Sequence, residues 1–328
     1  MRTVTSLTRS LAAARSSRLW VAITALGYLC GVSAIDHGAD HEVTTRKLGS
    51  LAILAAGATF GTTGTLQTKL APHISGMAVA STRLFIGALT LVVIAQFSQK
   101  SSSNKIARID LWMSGVGIAI YQVSFFTSVK LTGVPIATLT ALGSAPIFTG
   151  LVAYFLVRER PSRVWFGATV LTTIGIIFLN SHPGEKGFNP FGVILAAVAG
   201  LGFAVFNVSS RRALNAGVEP THLASRVFSL AAILVFPFCF ADGLSWIFTI
   251  KGGLLILWLG IVTTGLGYTL YSFGLKRVHS STASTLVLAE PATATLLAVV
   301  VLGSVLTFNS WIGIAFVLVG LLYLATRG

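Results

Sequence analysis

The sequence predicts an all-α integral membrane protein of about ten transmembrane helices, arranged as two inverted repeats of five. Three observations predict it: near-continuous apolar runs, a one-sided distribution of Lys and Arg, and a repeated order of residues in the two halves. Of 328 residues 54% are hydrophobic and 10% charged, against roughly 25% charged in an average soluble domain, so water is not the solvent for most of this surface. A helix that crosses the hydrocarbon of a bilayer needs roughly 20 mostly apolar residues. Such stretches fill residues 48–68, 76–97, 111–130, 134–157, 163–180, 190–210, 222–241, 252–275, 282–302 and 309–326.

The formal net charge of +14 is distributed as membrane topology requires, not as a nucleic-acid face. In alternate loops, one side holds thirteen basic residues: Arg46, Lys47, Lys100, Lys105, Arg108, Arg158, Arg160, Arg163, Arg211, Arg212, Lys276, Arg277 and Arg327. The other holds four, Lys69, Lys130, Lys186 and Lys251. Short cytoplasmic loops are enriched in Lys and Arg, which places the thirteen-residue side, and with it the C-terminus, in the cytoplasm. A bacterial inner membrane fits this pattern, with an organellar envelope as the alternative. The bilayer and a small molecule are the expected partners, with the protein a monomer or homodimer. Cys30 and Cys239 lie in apolar segments and have neither metal-site nor disulfide spacing.

Residues 1–47 stand apart as a leader. Arg2, Arg9, Arg15 and Arg18 occur without an acid, and an apolar run from Leu19 to Ile35 follows. An extra spanning helix would put those arginines on the wrong side. A secretory signal cut after Val32-Ser33-Ala34 would reverse the first helix of the body; organelle targeting and an upstream mis-assigned start are the remaining readings.

The body divides into residues 48–183 and 188–326. Lys130, Ala137, Pro146, Leu151 and Ala153 are matched in order by Lys276, Ala283, Pro291, Leu296 and Ala298, at offsets of 146 and then 145. Ala56-Gly57-Ala58-Thr59-Phe60 is matched by Ala199-Gly200-Leu201-Gly202-Phe203, and Ala80-Ser81-Thr82-Arg83 by Ala224-Ser225-Arg226, at offsets near 143. An odd number of helices per half makes the second half enter from the opposite side. Such inverted pairs place a substrate site near the midplane and open it alternately to each side.

These residues carry a family resemblance. Ala137-Thr138-Leu139 to Pro146, continuing to Arg158-Glu159-Arg160, together with Leu288-Ala289-Glu290-Pro291, resemble EamA-type members of the drug/metabolite transporter superfamily over residues 48–326. The resemblance implies two inverted five-helix halves and a central cavity lined mainly by helices 1, 3, 4, 6, 8 and 9. It also implies a frequent role in exporting amino acids or related metabolites. The family's acidic-basic pair after the fourth helix is matched by Glu159-Arg160, but the second half has Ser304-Val305 in its place.

Eight of the nine acids fall in loops or near membrane edges; the exception is Glu290. It lies about nine residues into its helix, roughly 13 Å deep. An ionised carboxylate at that depth costs several kcal/mol unless paired or wetted. One reading gives it contact with a substrate amine or exchange of that amine for a proton; the other makes it a protonated, hydrogen-bonded link between helices. Pro146 and Pro291 each remove a helical hydrogen bond and kink the chain, as packing features or as hinges that free carbonyls for a ligand. Arg83 and Arg226 are interfacial anchors, or one of them attracts a substrate carboxylate. Tyr121, Gln122 and Asn207 offer directional hydrogen bonds to a cavity. Thr62 belongs to a Thr- and Gly-rich stretch that suits either close helix packing or cavity lining.

The expectation is therefore a secondary transporter that exports a small amino acid or similar polar metabolite by alternating access, with protons as a candidate coupling ion. No nucleotide motif, cofactor site or metal cluster is expected. Efflux of cationic drugs, with Glu290 as the counter-charge, is the alternative. A membrane enzyme would need catalytic groups inside the core, whereas all six histidines lie in or beside loops. A purely structural protein would need neither a buried acid nor a repeat.

Overall fold

The computed structural model describes residues 38–98, 105–179, 189–303, 305 and 307–327. The Arg-rich leader, the apolar run to Ile35, Cys30, Lys100, Lys186 and Ser304 lie outside the described residues. The chain divides into compact units at residues 1–44 and 45–328; of the first, the residues from Gly38 are described, as helix.

The helices are α1 (Gly38–Leu70), α2 (Gly76–Phe97), α3 (Arg108–Val157), α4 (Arg163–Leu179), α5 (Pro190–Asn215) and α6 (Pro220–Val235). They continue with α7 (Ile250–Leu257), α8 (Gly267–Leu275), α9 (Ser280–Leu286), α10 (Ala289–Leu302) and α11 (Phe308–Arg327). Short 3-10 turns follow α6, and a π-helical segment, Trp258–Leu266, joins α7 to α8. No strand occurs among the described residues. Most caps are local: Ser75, Asn189 and Glu219 each accept a backbone N–H at the start of α2, α5 and α6.

By length and apolarity, seven helical stretches among the described residues suffice to cross a membrane: 76–97, 108–157, 190–215, 220–240, 250–275, 280–302 and 308–327. Two differences from the expected spans have local causes. The expected third and fourth helices are one 50-residue element, α3, broken at Gly133, whose φ of 81° is left-handed and suits glycine. Pro135 then sits in the first turn after the break, where a missing N–H costs nothing. α4, Arg163–Leu179, agrees with the expected span to within a residue. α1 begins ten residues before the apolar run, because residues 38–47 contain no proline to stop it, and its Thr- and Gly-rich C-terminal half dilutes its apolarity.

Gly133 reverses the chain, as contacts with α5 establish. Before the break, Asp110 meets Arg212, Ser114 meets Ser210, and Ser128 donates to Gly192 O at 2.7 Å, so this limb runs antiparallel to α5. After it, Ala141 and Ser144 lie against Gly200, so the second limb runs parallel to α5. α4 and α11 are likewise antiparallel, with Gly175 against Gly313 and Ala168 against Gly320.

Small residues make these approaches possible. A Cβ added to Gly117 would lie 2.7 Å from Gly202 O, and one added to Gly202 would lie 2.7 Å from Gly117 O, so the two backbones touch. Other contacts come in pairs. Gly49 packs on Gly274, Arg277 and Val278, and Gly192 on Ser128, Leu131 and Thr132; Gly57 packs on Val287, Ala289 and Glu290, and Gly200 on Ala141, Ser144 and Ala145. Positions 49 and 57 precede 192 and 200 by 143, while 128, 131, 132, 141 and 144 precede 274, 277, 278, 287 and 290 by 146.

The basic residues separate by end. Gly49 beside Arg277, Arg211 bonded to Leu275 O, Arg212 paired with Asp110, and Glu159 bonded to Ser280 gather one end of the bundle. That end carries Arg46, Lys47, Arg108, Arg158, Arg160, Arg163, Lys276 and, through the α4–α11 pair, Arg327. The opposite end, where Ser75 N–H donates to Asp242 and Gly76 packs on Phe126, carries Lys69, Lys130 and Lys251.

Replacing Gly117 by Leu forces α3 and α5 apart. Overpacking of this kind costs about 1–3 kcal/mol, and the thermal midpoint of the detergent-purified protein should fall by several degrees; an unchanged midpoint would contradict the backbone contact.

Candidate functional site

A small enclosed cavity of about 30 Å³ lies inside the bundle, lined by Phe60, Arg83, Tyr121, Leu142, Phe203, Tyr268, Val287 and Glu290. These residues come from α1, α2, both limbs of α3, α5, α8 and the α9–α10 region. The space holds a water or two, since one water needs about 10–15 Å³ by this measure.

Glu290 owes its position to a break in the ninth span. Pro291 has no N–H, and its ring crowds the carbonyl four residues back. The chain responds by closing 3-10 turns: Leu288 N–H donates to Thr285 O at 3.0 Å and Glu290 N–H to Val287 O at 2.9 Å. α9 ends at Leu286 and α10 starts at Ala289, so Glu290 stands in the first turn of a half-helix whose N-terminus opens near the cavity. Pro291 thus follows an irregular turn between α9 and α10 inside the span 280–302. Pro146, at the matching place in the first half, lies buried within the unbroken second limb of α3.

Arg83 reaches the same cavity from α2. Its guanidinium Nε is buried without a hydrogen-bond partner. Arg226, at the matching position of α6, is exposed instead. The acid and the guanidinium are therefore the two charged groups of a cavity otherwise walled by aromatic and aliphatic side chains.

Tyr121 lines the cavity and stacks on Phe125 at a centroid distance of 5.8 Å. Gln122, its neighbour, faces elsewhere: its Nε2 donates to Ala80 O at 3.5 Å, and its Oε1 has no partner. Asn207 is fully buried just behind the aromatic wall; its Oδ1 accepts from Tyr271 Oη at 2.8 Å, and its amide nitrogen is unpartnered. Thr62 lies outside the cavity, where its hydroxyl donates to Thr59 O and accepts from Trp258 Nε1. Of the residues singled out from sequence, the fold brings Glu290, Arg83 and Tyr121 into one cavity and leaves Gln122, Asn207 and Thr62 around it.

Sequence reasoning missed Tyr268, Phe60, Phe203 and Tyr271. Phe60, Phe206, Phe228 and Tyr268 form a continuous aromatic cluster, with Phe228 and Tyr268 centroids 4.1 Å apart. Tyr268 and Tyr271 stand one helical turn apart on α8, a spacing visible in the sequence. Both follow the π segment, whose extra residue per turn rotates what comes after it, and such segments recur at functional sites. No group of three or more His, Cys, Asp and Glu that would suit a metal occurs among the described residues.

Polar contacts gather at the basic end, most of them between the two halves. Arg212 Nη2 pairs with Asp110 Oδ1 at 2.5 Å, Ser210 donates to Ser114 at 3.1 Å, and Ser280 Oγ donates to Glu159 at 2.6 Å. Arg211 Nη1 donates to Leu275 O at 2.6 Å, and its Nε approaches Glu159 at 3.9 Å. Glu159 of the Glu159-Arg160 pair therefore faces inward, while Arg160 is exposed.

A helical bundle with an enclosed, charged centre and closing contacts at its ends is a polytopic membrane protein of the transporter type. The chain belongs to the EamA-like transporter family, whose profile matches it twice, over residues 47–181 and 190–326. It is similar to the uncharacterized transporter YwfM of Bacillus subtilis (strain 168), 36% identical over 276 residues that cover 84% of this chain and 93% of that one. It is also similar to the threonine/homoserine exporter RhtA of Escherichia coli (strain K12), 30% identical over 262 residues, covering 78% and 83% respectively. A solved crystal structure shares the fold with a TM-score of 0.69 at 21% identity, covering 84% of this chain and 95% of its own.

Replacing Tyr271 by Phe removes the donor to Asn207 Oδ1 at a fully buried site. An unpartnered buried acceptor costs about 1–3 kcal/mol, so the variant should unfold at a lower temperature in detergent; a midpoint equal to wild type would contradict the bond.

Proposed function

We propose that the protein is a secondary transporter that exports a small amino acid by alternating access between two inverted halves of five spans each. The observation that carries the reading is the placement of Glu290 and Arg83 on one cavity. A free amino acid is a zwitterion at neutral pH; its ammonium suits the carboxylate and its carboxylate suits the guanidinium. Aromatic walls lower the local dielectric and strengthen both contacts. The relationship to a threonine/homoserine exporter supports an amino acid over a cationic drug, as does Arg83, which a cation site does not need.

Ten spans follow if α3 counts as two, α4 as a short one, and α7–α8 and α9–α10 as one each. The inverted arrangement is supported by equivalent contacts in the two halves, Gly49 on Gly274 and Arg277 answering Gly192 on Leu131 and Thr132, and Gly57 on Val287 answering Gly200 on Ala141, and by the double match of the family profile. A bacterial inner membrane with the basic end and C-terminus in the cytoplasm follows from the positive-inside rule. A 30 Å³ centre is too small for an amino acid, so the halves must part to load it. Parting at the basic end breaks the contacts of Asp110, Glu159, Arg211 and Arg212. A proton taken up by Glu290 when the amine leaves would couple the two movements.

The test is counterflow in proteoliposomes with a panel of labelled amino acids and organic cations. Wild type should exchange an amino acid and be accelerated by a pH gradient, and Glu290→Gln should lose that acceleration. Arg83→Gln removes a charged contact and should weaken amino-acid affinity by roughly tenfold to a hundredfold. Exchange of organic cations alone, insensitive to Arg83→Gln, sinks the amino-acid reading; a Glu290→Gln variant equal to wild type at every pH sinks the coupling. Alternating access is tested by a cysteine pair, S114C with S210C, in a chain whose Cys30 and Cys239 are replaced by Ser. Oxidation should stop counterflow and reduction should restore it.

A further inference from the structure

A second cavity, of about 520 Å³, lies between the second limb of α3 and α4, away from the centre. Its volume falls in the range of roughly 300–1,000 Å³ that holds a drug- or lipid-sized ligand. Ile147, Leu151 and Tyr154 form one wall, Phe166 and Val170 the other, and all five are exposed on the outside of the bundle. Gly150 forms the floor, where a Cβ would come 2.9 Å from the Trp165 ring; Trp165 itself is pinned by donating Nε1–H to Ser281 O at 2.9 Å. The groove is thus a rigid apolar slot.

Its upper edge is Pro161, in the loop that joins α3 to α4. That five-residue loop and the first residue of α4 carry Arg158, Arg160 and Arg163, all exposed, and none makes an ion pair among the described residues. The acid between them, Glu159, is turned inward to Ser280 and Arg211 and does not neutralise them. Three exposed arginines, without an ion pair among the described residues, therefore flank in the chain the residue that edges an apolar slot, on the basic end of the bundle.

We propose that this groove is a binding site for one anionic phospholipid, its phosphate held by Arg158, Arg160 and Arg163 and an acyl chain laid along Ile147, Leu151 and Val170. Apolar surface alone admits any lipid chain; the charge at the mouth selects the anionic headgroup. Basic pockets between membrane helices recognise anionic lipids by this combination. The site is independent of the substrate cavity and of what the protein transports.

Native mass spectrometry of the full-length protein released from detergent tests it, with phosphatidylglycerol and phosphatidylcholine of identical chains added in equal amounts. Phosphatidylglycerol should be retained roughly tenfold more than phosphatidylcholine. The triple variant R158Q/R160Q/R163Q should lose that preference, and Ile147→Trp, which fills the slot, should lose the bound lipid; a single symmetric elution peak certifies that each variant is folded. Equal retention of the two lipids by wild type overturns the proposal whatever the variants do. Loss of lipid in the charge variant with full retention in Ile147→Trp also overturns it, because the arginines then bind headgroups without the groove. A protein dimer that Ile147→Trp abolishes would assign the groove to a second copy instead.

Discussion

In hydrocarbon, two helices gain nothing by hiding apolar side chains from each other, since lipid tails are as apolar as leucine. What holds such a bundle is close approach: dense van der Waals contact and the few polar bonds that short distances allow. The contact of Gly117 with Gly202 is that constraint in its plainest form, backbone against backbone. The reciprocal approaches of Gly49, Gly57, Gly192 and Gly200 extend it to other seams. Side chains at these positions would push the helices apart and open the centre that the fold encloses.

Close approach also explains how a charged centre is tolerated. An uncompensated ion away from water is costly, and this fold places Arg83 in the same cavity as Glu290. Aromatic rings from α1, α3, α5 and α8 complete the wall. Irregular backbone appears where it serves that cavity: the α9–α10 break supplies the acid, and the π segment precedes Tyr268 and Tyr271. Around this centre, the bonds of Asp110, Glu159, Arg211 and Arg212 act as ties between halves at one end, and the bond from Ser75 to Asp242 acts at the other.

Much of this was legible in the sequence because the bilayer allows so few solutions. Apolar run length predicted where helices lie, and α2 and α11 agree to within a residue or two. The break inside α3 falls at Gly133, between the expected spans 111–130 and 134–157. Glu290 stood out because an acid at that depth needs a reason. Gln122, Asn207 and Thr62 were harder. A polar residue on a membrane helix bonds either to a neighbour or to a cavity, and rotation of the helix by one residue, about 100°, decides between them. Tyr121 and Gln122 are adjacent, and only the first lines the cavity.

The sequence by itself determined the helical class, the segregation of charge to one end, the repeated order of the halves and the one acid at membrane depth. These rest on local quantities, namely hydropathy, backbone preference and count of residues. The tertiary structure alone decided that Arg83 shares a cavity with Glu290, that Tyr268 and Phe203 wall it, and that Glu159 turns inward while its arginine neighbours stay exposed. Those facts depend on the rotation and crossing of helices far apart in the chain, which packing of small residues sets and no run of sequence records.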